Sequence, residues 1–184
     1  MDVATETKLR EMLDRDAIWS VLMRYARGLD RFDREMVRSC YFDDAIEDHG
    51  NFVGHVEEFI DWANMTSGYF VRHFHGMTNH SCDLRGDDAY CETYYQFIGV
   101  SETPPHAMSV GRYIDHFQKR GGEWRIANRV CLVEGNFELP DSALAAQSPT
   151  WYGGTEVQPN ARDRTDVSYQ RPPIPRKPAP VAAE

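Results

Sequence analysis

The side chains in this sequence that could do chemistry concentrate in two stretches. These are Met23-Arg24-Tyr25-Ala26-Arg27-Gly28-Leu29-Asp30-Arg31-Phe32-Asp33 and Arg72-His73-Phe74-His75-Gly76-Met77-Thr78-Asn79-His80. The first places Tyr25 and Asp30 at the end of an apolar helical stripe, and the second holds three of the chain's 7 histidines. An unpaired buried carboxylate costs several kcal/mol, so Asp30 needs a partner, and the histidine run is the densest source of one. A carboxylate that accepts one imidazole N–H fixes the tautomer, orients the ring and raises the basicity of the other nitrogen. That is the base-and-orienter half of a catalytic triad. The nucleophile half is missing, because there is no Gly-x-Ser-x-Gly and Ser81 and Cys82 sit in no nucleophile elbow. A His–Asp pair without a nucleophile suits removal of a proton from carbon, followed by isomerisation or loss of a leaving group.

Such chemistry also needs a donor for the negative charge that develops or departs. Tyr25 can donate from its phenol, and Arg129 lies in the alternating segment Trp124–Cys131. The face Arg129 shares with Arg125, Ala127 and Cys131 does not settle which way it points. Taken alone, Tyr25 reads as a core tyrosine with a satisfied hydroxyl and Arg129 as a surface arginine on a strand. A His-x-His pair can also begin a metal site with His80 or a carboxylate as a further ligand. Strand alternation sends His80 to the opposite face unless Gly76 introduces a bulge, so the ligand set is incomplete and no metal is expected.

Composition narrows the remaining classes. A chain of 184 residues with 41% hydrophobic and 12% aromatic residues suits one domain with a real core and some extra length. The formal charge of −9 argues against nucleic acid and anionic membranes as partners. No apolar run approaches the roughly 20 residues of a membrane span, and the polar, acidic N-terminus is unlike a signal peptide, so a cytoplasmic protein is expected. Cys40, Cys82, Cys91 and Cys131 are widely spaced with no Cys-x-x-Cys pair. They read as buried reduced thiols, with a single Cys–Cys bridge as the alternative. No Walker or Rossmann glycine pattern appears, and Asp43-Asp44 and Asp87-Asp88 read as solvated turn residues rather than a magnesium site.

The elements that must position these groups follow from periodicity. After a polar lead-in that can extend it, a helix begins at Asp14 as N-cap, with Ile18, Leu22, Tyr25, Ala26 and Leu29 on one stripe. Asp33 caps a short second helix over Arg34–Tyr41, Ala45–His49 reads as a strand, and His55–Met65 gives a third helix facing inward through Val56, Phe59, Ile60 and Ala63. The period then becomes alternating, predicting strands over Val71–Leu84, Ala89–Val100, Ser109–Arg120 and Glu123–Val133, joined by glycine- and aspartate-rich turns. Helices followed by long antiparallel strands describe an α+β fold, a curved sheet closed on one side by helices. Beyond residue 138 the chain holds 8 of its 10 prolines and little periodicity. Residues 1–138 are therefore the domain and 139–184 an arm or tail.

With this element order, the Tyr25-x4-Asp30 helix end, His75-x3-Asn79 in the first long strand and Trp124-Arg125-Ile126-Ala127-Asn128-Arg129 in the last, the chain resembles the SnoaL-like branch of the NTF2-like superfamily. The resemblance covers about residues 10–137. It implies a cone-shaped α+β barrel around one deep pocket, with His75 as general base, Asp30 as its orienter, and Tyr25 and Arg129 as donors to the leaving group. Tyrosine at position 25 is similar to the scytalone- and bile-acid-type dehydratases, where the dehydrochlorinase branch carries lysine. The expectation is a cofactor-independent lyase acting on an apolar cyclic or aromatic small molecule, with Trp62, Phe59, Asn79 and Met108 lining the pocket. The alternatives are a ketosteroid-type isomerase or cyclase, a formaldehyde-releasing aromatic lyase, or a non-catalytic subunit resembling those of ring-hydroxylating dioxygenases. A homotrimer packed through the sheet is implied by the same resemblance.

Overall fold

The computed structural model describes residues 2–140 and 161–173. The chain runs α1 (Val3–Asp30), α2 (Arg34–Arg38), β1 (Tyr41–Asp48), β2 (Val53–His55), α3 (Val56–Ser67), β3 (Arg72–Arg85), β4 (Asp88–Val100), β5 (His106–Arg120) and β6 (Glu123–Leu139). The six strands form one sheet in the order β2-β1-β6-β5-β4-β3. All neighbours are antiparallel except β1 and β6. The sheet curves without closing, and the helices cover its concave face. This is the expected α+β architecture, with an open sheet in place of a closed barrel.

The apolar stripe of α1 (Ile18, Val21, Leu22, Tyr25, Leu29) is buried against the sheet, as its 3.6-residue spacing requires. The helix starts far earlier than Asp14. Asp2 is the N-cap, its carboxylate accepting from the Thr5 backbone N–H at 2.9 Å. Asp14 instead lies inside the helix and reaches across to the sheet, accepting from Lys119 Nζ at 2.8 Å and Trp124 Nε1 at 2.7 Å. A polar first turn with no core to face left this start invisible to an apolar-periodicity argument.

At the other end α1 must stop abruptly so that Asp30 faces the sheet. Phe32 takes a left-handed conformation with φ of 49°, a strain of about 1–2 kcal/mol for a non-glycine residue. Its ring packs edge-on to His73 at 5.4 Å and under the Arg162 guanidinium at 4.3 Å. The chain then reverses into α2, capped by Asp33, which accepts from the Met36 N–H at 3.1 Å. Gly28 permits the close approach of the two helices, since a Cβ there would lie 2.7 Å from Val37 Cγ2 and 3.0 Å from the Val37 nitrogen.

The strand boundaries shift outward from the sequence expectation. β1 begins at Tyr41, taking in Phe42-Asp43-Asp44, and β6 continues to Leu139. The β6 extension pairs with β5, whereas Phe42-Asp43-Asp44 lie in an irregularity of the β1–β6 ladder, and no local pattern records either. Val53–His55, outside the strands expected from periodicity, adds an edge strand against β1. β3 contains a bulge between Met77 and His80, so Thr78 and Asn79 interrupt the ladder while Gly76 stays in register with Gln96. Of the proline-rich segment, only 139–140 and 161–173 belong to the described residues. Residues 161–173 pack on the end of α1, where Tyr169 donates to Asp33 at 3.0 Å and Arg164 pairs with Asp33 at 3.1 Å.

Gly28→Ala should therefore push α2 away from α1 and destabilise the fold by about 1–3 kcal/mol, measured by urea denaturation. An unchanged midpoint would mean that the α1–α2 contact is looser than described.

Candidate active site

Asp30, the last residue of α1, meets β3 where the strand turns inward. Its carboxylate accepts from His75 Nδ1 at 2.7 Å and from the His75 backbone N–H at 3.0 and 3.1 Å to its two oxygens. Three contacts to one residue leave the ring little rotational freedom. A carboxylate only accepts, so His75 holds a proton on Nδ1, and a neutral ring in that tautomer has its lone pair at Nε2. His73 sits two residues back on the same face but is fully engaged. Its Nε2 donates to the Leu29 carbonyl at 3.2 Å, and its Nδ1 accepts from Arg162 at 2.8 Å. Burial, reinforced by the Arg162 charge, drives the His73 pKa down to about 4, so this ring is neutral. Asp30, His73 and His75 have ligating atoms within 4.8 Å of one another. Yet both nitrogens of His73 are taken and a guanidinium lies against it, which suits a hydrogen-bonded dyad better than a cation.

His75 lines a cavity of about 250 Å³ between α1, α3 and the sheet. Tyr25 and Leu29 come from α1, Phe59 and Trp62 from α3, and Tyr95 and Phe97 from β4. Since an apolar cavity of roughly 150 Å³ holds benzene, this one suits a molecule of one or two rings. Trp62 and Phe59 thus stand where the sequence reading put them. Asn79 and Met108 do not. Asn79 is exposed within the β3 bulge, and in β5 it is Ser109 that faces the cavity, which by strand alternation turns Met108 away.

Tyr25 is completely buried, and its hydroxyl has no hydrogen-bond partner although it borders the cavity. Burial, with Tyr41 adding to it, pushes the phenol well above its ordinary range, so it keeps its proton at neutral pH. Arg129 lies behind the cavity wall. Its guanidinium packs against the rings of Tyr25 and Tyr113, at 4.2 and 4.1 Å, which stand at right angles to each other, and it is held by Asp115 at 2.6 and 2.9 Å. Arg129 therefore reaches a bound molecule only through the Tyr25 ring. It positions that ring instead of donating to a leaving group.

A second imidazole–carboxylate pair faces the same cavity and was not singled out in the sequence. His49, at the end of β1, approaches Glu47 Oε1 at 2.6 Å, and the other Glu47 oxygen accepts from Tyr41 at 2.7 Å. Burial works against a charge on His49. Its contacts with Cys131 and Glu47 outweigh that and raise its pKa to about 9. It is thus an imidazolium at neutral pH, with Nδ1–H given to Glu47. The signal was present: Glu47 and His49 are two residues apart on a predicted strand and so share a face.

The fold and the residues 10–130 match the SnoaL-like domain family. The chain belongs to that family. Among solved structures it is similar to a putative scytalone dehydratase from Novosphingobium aromaticivorans, with 20% identity, 74% of this chain and 96% of that one covered, and a TM-score of 0.63. It is also similar to hexachlorocyclohexane dehydrochlorinase LinA-type3 from Novosphingobium barchaimii, at 17% identity, 83% and 99% coverage and a TM-score of 0.67. Likewise it resembles a protein of unknown function from Mycobacterium tuberculosis, at 20% identity, 73% and 77% coverage and a TM-score of 0.61. These likenesses show the NTF2-like fold. No curated protein matches the sequence.

The two histidines set the pH dependence of stability in opposite directions. His49 holds its proton to about pH 9 when folded but to about 6.5 when unfolded. Its contribution is full below pH 6.5 and disappears as pH rises through 9, a loss on the order of 3 kcal/mol. His73, depressed to about 4, costs stability as pH falls from 6.5 to 4. Urea unfolding across this range should show a maximum near pH 6.5, and His49→Gln should flatten its alkaline side. An alkaline limb of equal slope in His49→Gln would place the titration elsewhere.

Proposed function

We propose that the protein is a lyase acting without a cofactor, eliminating a hydroxyl or similar group from a mainly apolar cyclic or aromatic small molecule. The observation that carries this reading is the 2.7 Å Asp30–His75 contact beside an aromatic-walled cavity. His75 Nε2 removes a proton from carbon, and the carbon–leaving-group bond breaks as the electron pair forms the double bond. His49, charged through Nδ1–H to Glu47, gives its remaining proton to the departing oxygen, and Tyr25 donates a hydrogen bond to the same atom. The likeness to a putative scytalone dehydratase and to a dehydrochlorinase supports elimination as the reaction type. A filled cavity or a separated Asp30 and His75 would have favoured a non-catalytic binding module.

The same groups could serve a ketosteroid-type isomerisation, in which Tyr25 and His49 would hold an enolate oxygen and the proton would return to another carbon. The favoured reading is elimination, because a cationic acid is placed to protonate a poor leaving group. As an assembly, a homotrimer through the outer sheet face is consistent with Tyr94, Val130 and Leu132 exposed there, and sedimentation equilibrium would return a monomer mass if it is wrong.

Assayed on cyclic alcohols and halides that carry an acidified C–H, His75→Ala and Asp30→Asn should each lower kcat by ~10²–10⁴-fold. His49→Gln should slow loss of hydroxide far more than loss of chloride, which needs no proton. Near-full activity in both His75→Ala and Asp30→Asn would refute the mechanism. Double-bond migration without release of a group would transfer the site to the isomerase reading.

A further inference from the structure

The concave face of the sheet holds a second set of ligating side chains that elimination does not use. The β3 bulge at Thr78–Asn79 returns His80 to the inward face, where it shares a side with Cys82. The β3–β4 register then sets Cys91 directly opposite Cys82. A ring nitrogen of His80 and the two sulfur atoms lie within 4.8 Å of one another. His80 Nδ1 is 2.9 Å from the hydroxyl of Thr93, and Nε2 is buried without a hydrogen-bond partner. From α1, Trp19 covers the imidazole at 5.2 Å and Arg15 donates to the Cys82 carbonyl, closing the cluster on its helix side.

We propose that His80, Cys82 and Cys91 bind a divalent cation of the zinc class through His80 Nε2 and the two sulfur atoms. The ligand chemistry selects the ion. Two thiolates and an imidazole suit zinc and exclude magnesium and calcium, which take oxygen donors. Two thiolates with a neutral imidazole also balance a charge of +2. With Zn–S near 2.3 Å and Zn–N near 2.1 Å, tetrahedral ligands stand about 3.5–3.8 Å apart, so the cluster must contract by about 1 Å or less. Thr93, completely buried, can accept the Nδ1–H of a His80 that binds the ion through Nε2, an outer-shell contact of the kind metal-bound histidines use. Three protein ligands leave a fourth position open to water, and the partial exposure of His80 and Cys82 gives it a route to solvent.

The test is a cobalt titration of the full-length chain, reduced, stripped with chelator and kept anaerobic. One equivalent of Co²⁺ per chain should bring thiolate-to-cobalt charge transfer in the near ultraviolet and the visible bands of a tetrahedral ion, and Zn²⁺ should abolish both. His80→Asn and Cys82→Ser should each weaken binding more than tenfold. Thr93→Val keeps every ligand and should weaken it about 10–100-fold. Asp30→Asn should leave the titration unchanged, separating this site from the cavity. Circular dichroism confirms that each variant is folded. A folded wild-type chain with no charge-transfer band overturns the site, as does cobalt uptake that is indifferent to His80→Asn and Cys82→Ser. Thiols found as a Cys82–Cys91 disulfide that bind no cobalt after reduction overturn it as well.

Discussion

The structure is arranged around a guanidinium that has lost all contact with water. Arg129 reaches from β6 into the core, where the effective penalty for an isolated charge is several kcal/mol. Asp115 on β5 answers it with two hydrogen bonds, and the rings of Tyr25 and Tyr113, set at right angles to each other, pack against it. Each ring adds about 1–2 kcal/mol of cation–π attraction in a desolvated setting. This arrangement locks β5, β6 and α1 together at one point. It also fixes Tyr25, whose hydroxyl must stand at the cavity edge once its ring is held on the guanidinium. Removing Asp115 would strand the arginine, so the pair acts as a constraint on geometry as much as a source of stability.

From that anchored tyrosine the cavity acquires two imidazoles of opposite character. His75 is tied to Asp30, while His49 is tied to Glu47 and held charged near neutrality. The two carboxylates also sit differently. Asp30 is at a helix end, also satisfied by a backbone N–H, whereas Glu47 is fully buried and shares its charge with Tyr41 and His49. In the elimination proposed above, His75 would take a proton and His49 give one within the same cavity.

The third imidazole, His73, shows how the chain after β6 contributes. Arg162 accounts for one of its nitrogens, donates to Ser67 and Phe70 carbonyls and stacks on Phe32, so a residue far along the sequence finishes the turn that aims Asp30. Arg164 and Tyr169 tie the same segment to Asp33. The ring of Phe32, whose φ is strained, is thereby held by both His73 and Arg162. The segment adds no side chain to the cavity, but it packs against the α1 end that positions the dyad.

Much of this was legible in order of residues alone. The apolar stripe of α1, the switch from helical to alternating period after Ser67, and the need of Asp30 for a partner in the histidine run follow from side-chain periodicity and from the cost of burying a lone carboxylate, while the family resemblance pointed to His75 within that run. Those are local rules, satisfied by a few consecutive residues. The direction of Arg129, the inward return of His80 and the displacement of Asn79 and Met108 from the cavity depend on strand register and on one bulge, which are set by partners many residues away. Glu47 and His49 fall between the two: their shared face was readable, while the common cavity that makes them chemically relevant exists only when β1 lies beside β6. Sequence by itself determined which side chains needed partners, because burial energetics act on residue type. Tertiary structure alone decided which partner each one met, because sheet register and curvature bring together groups that local periodicity cannot connect.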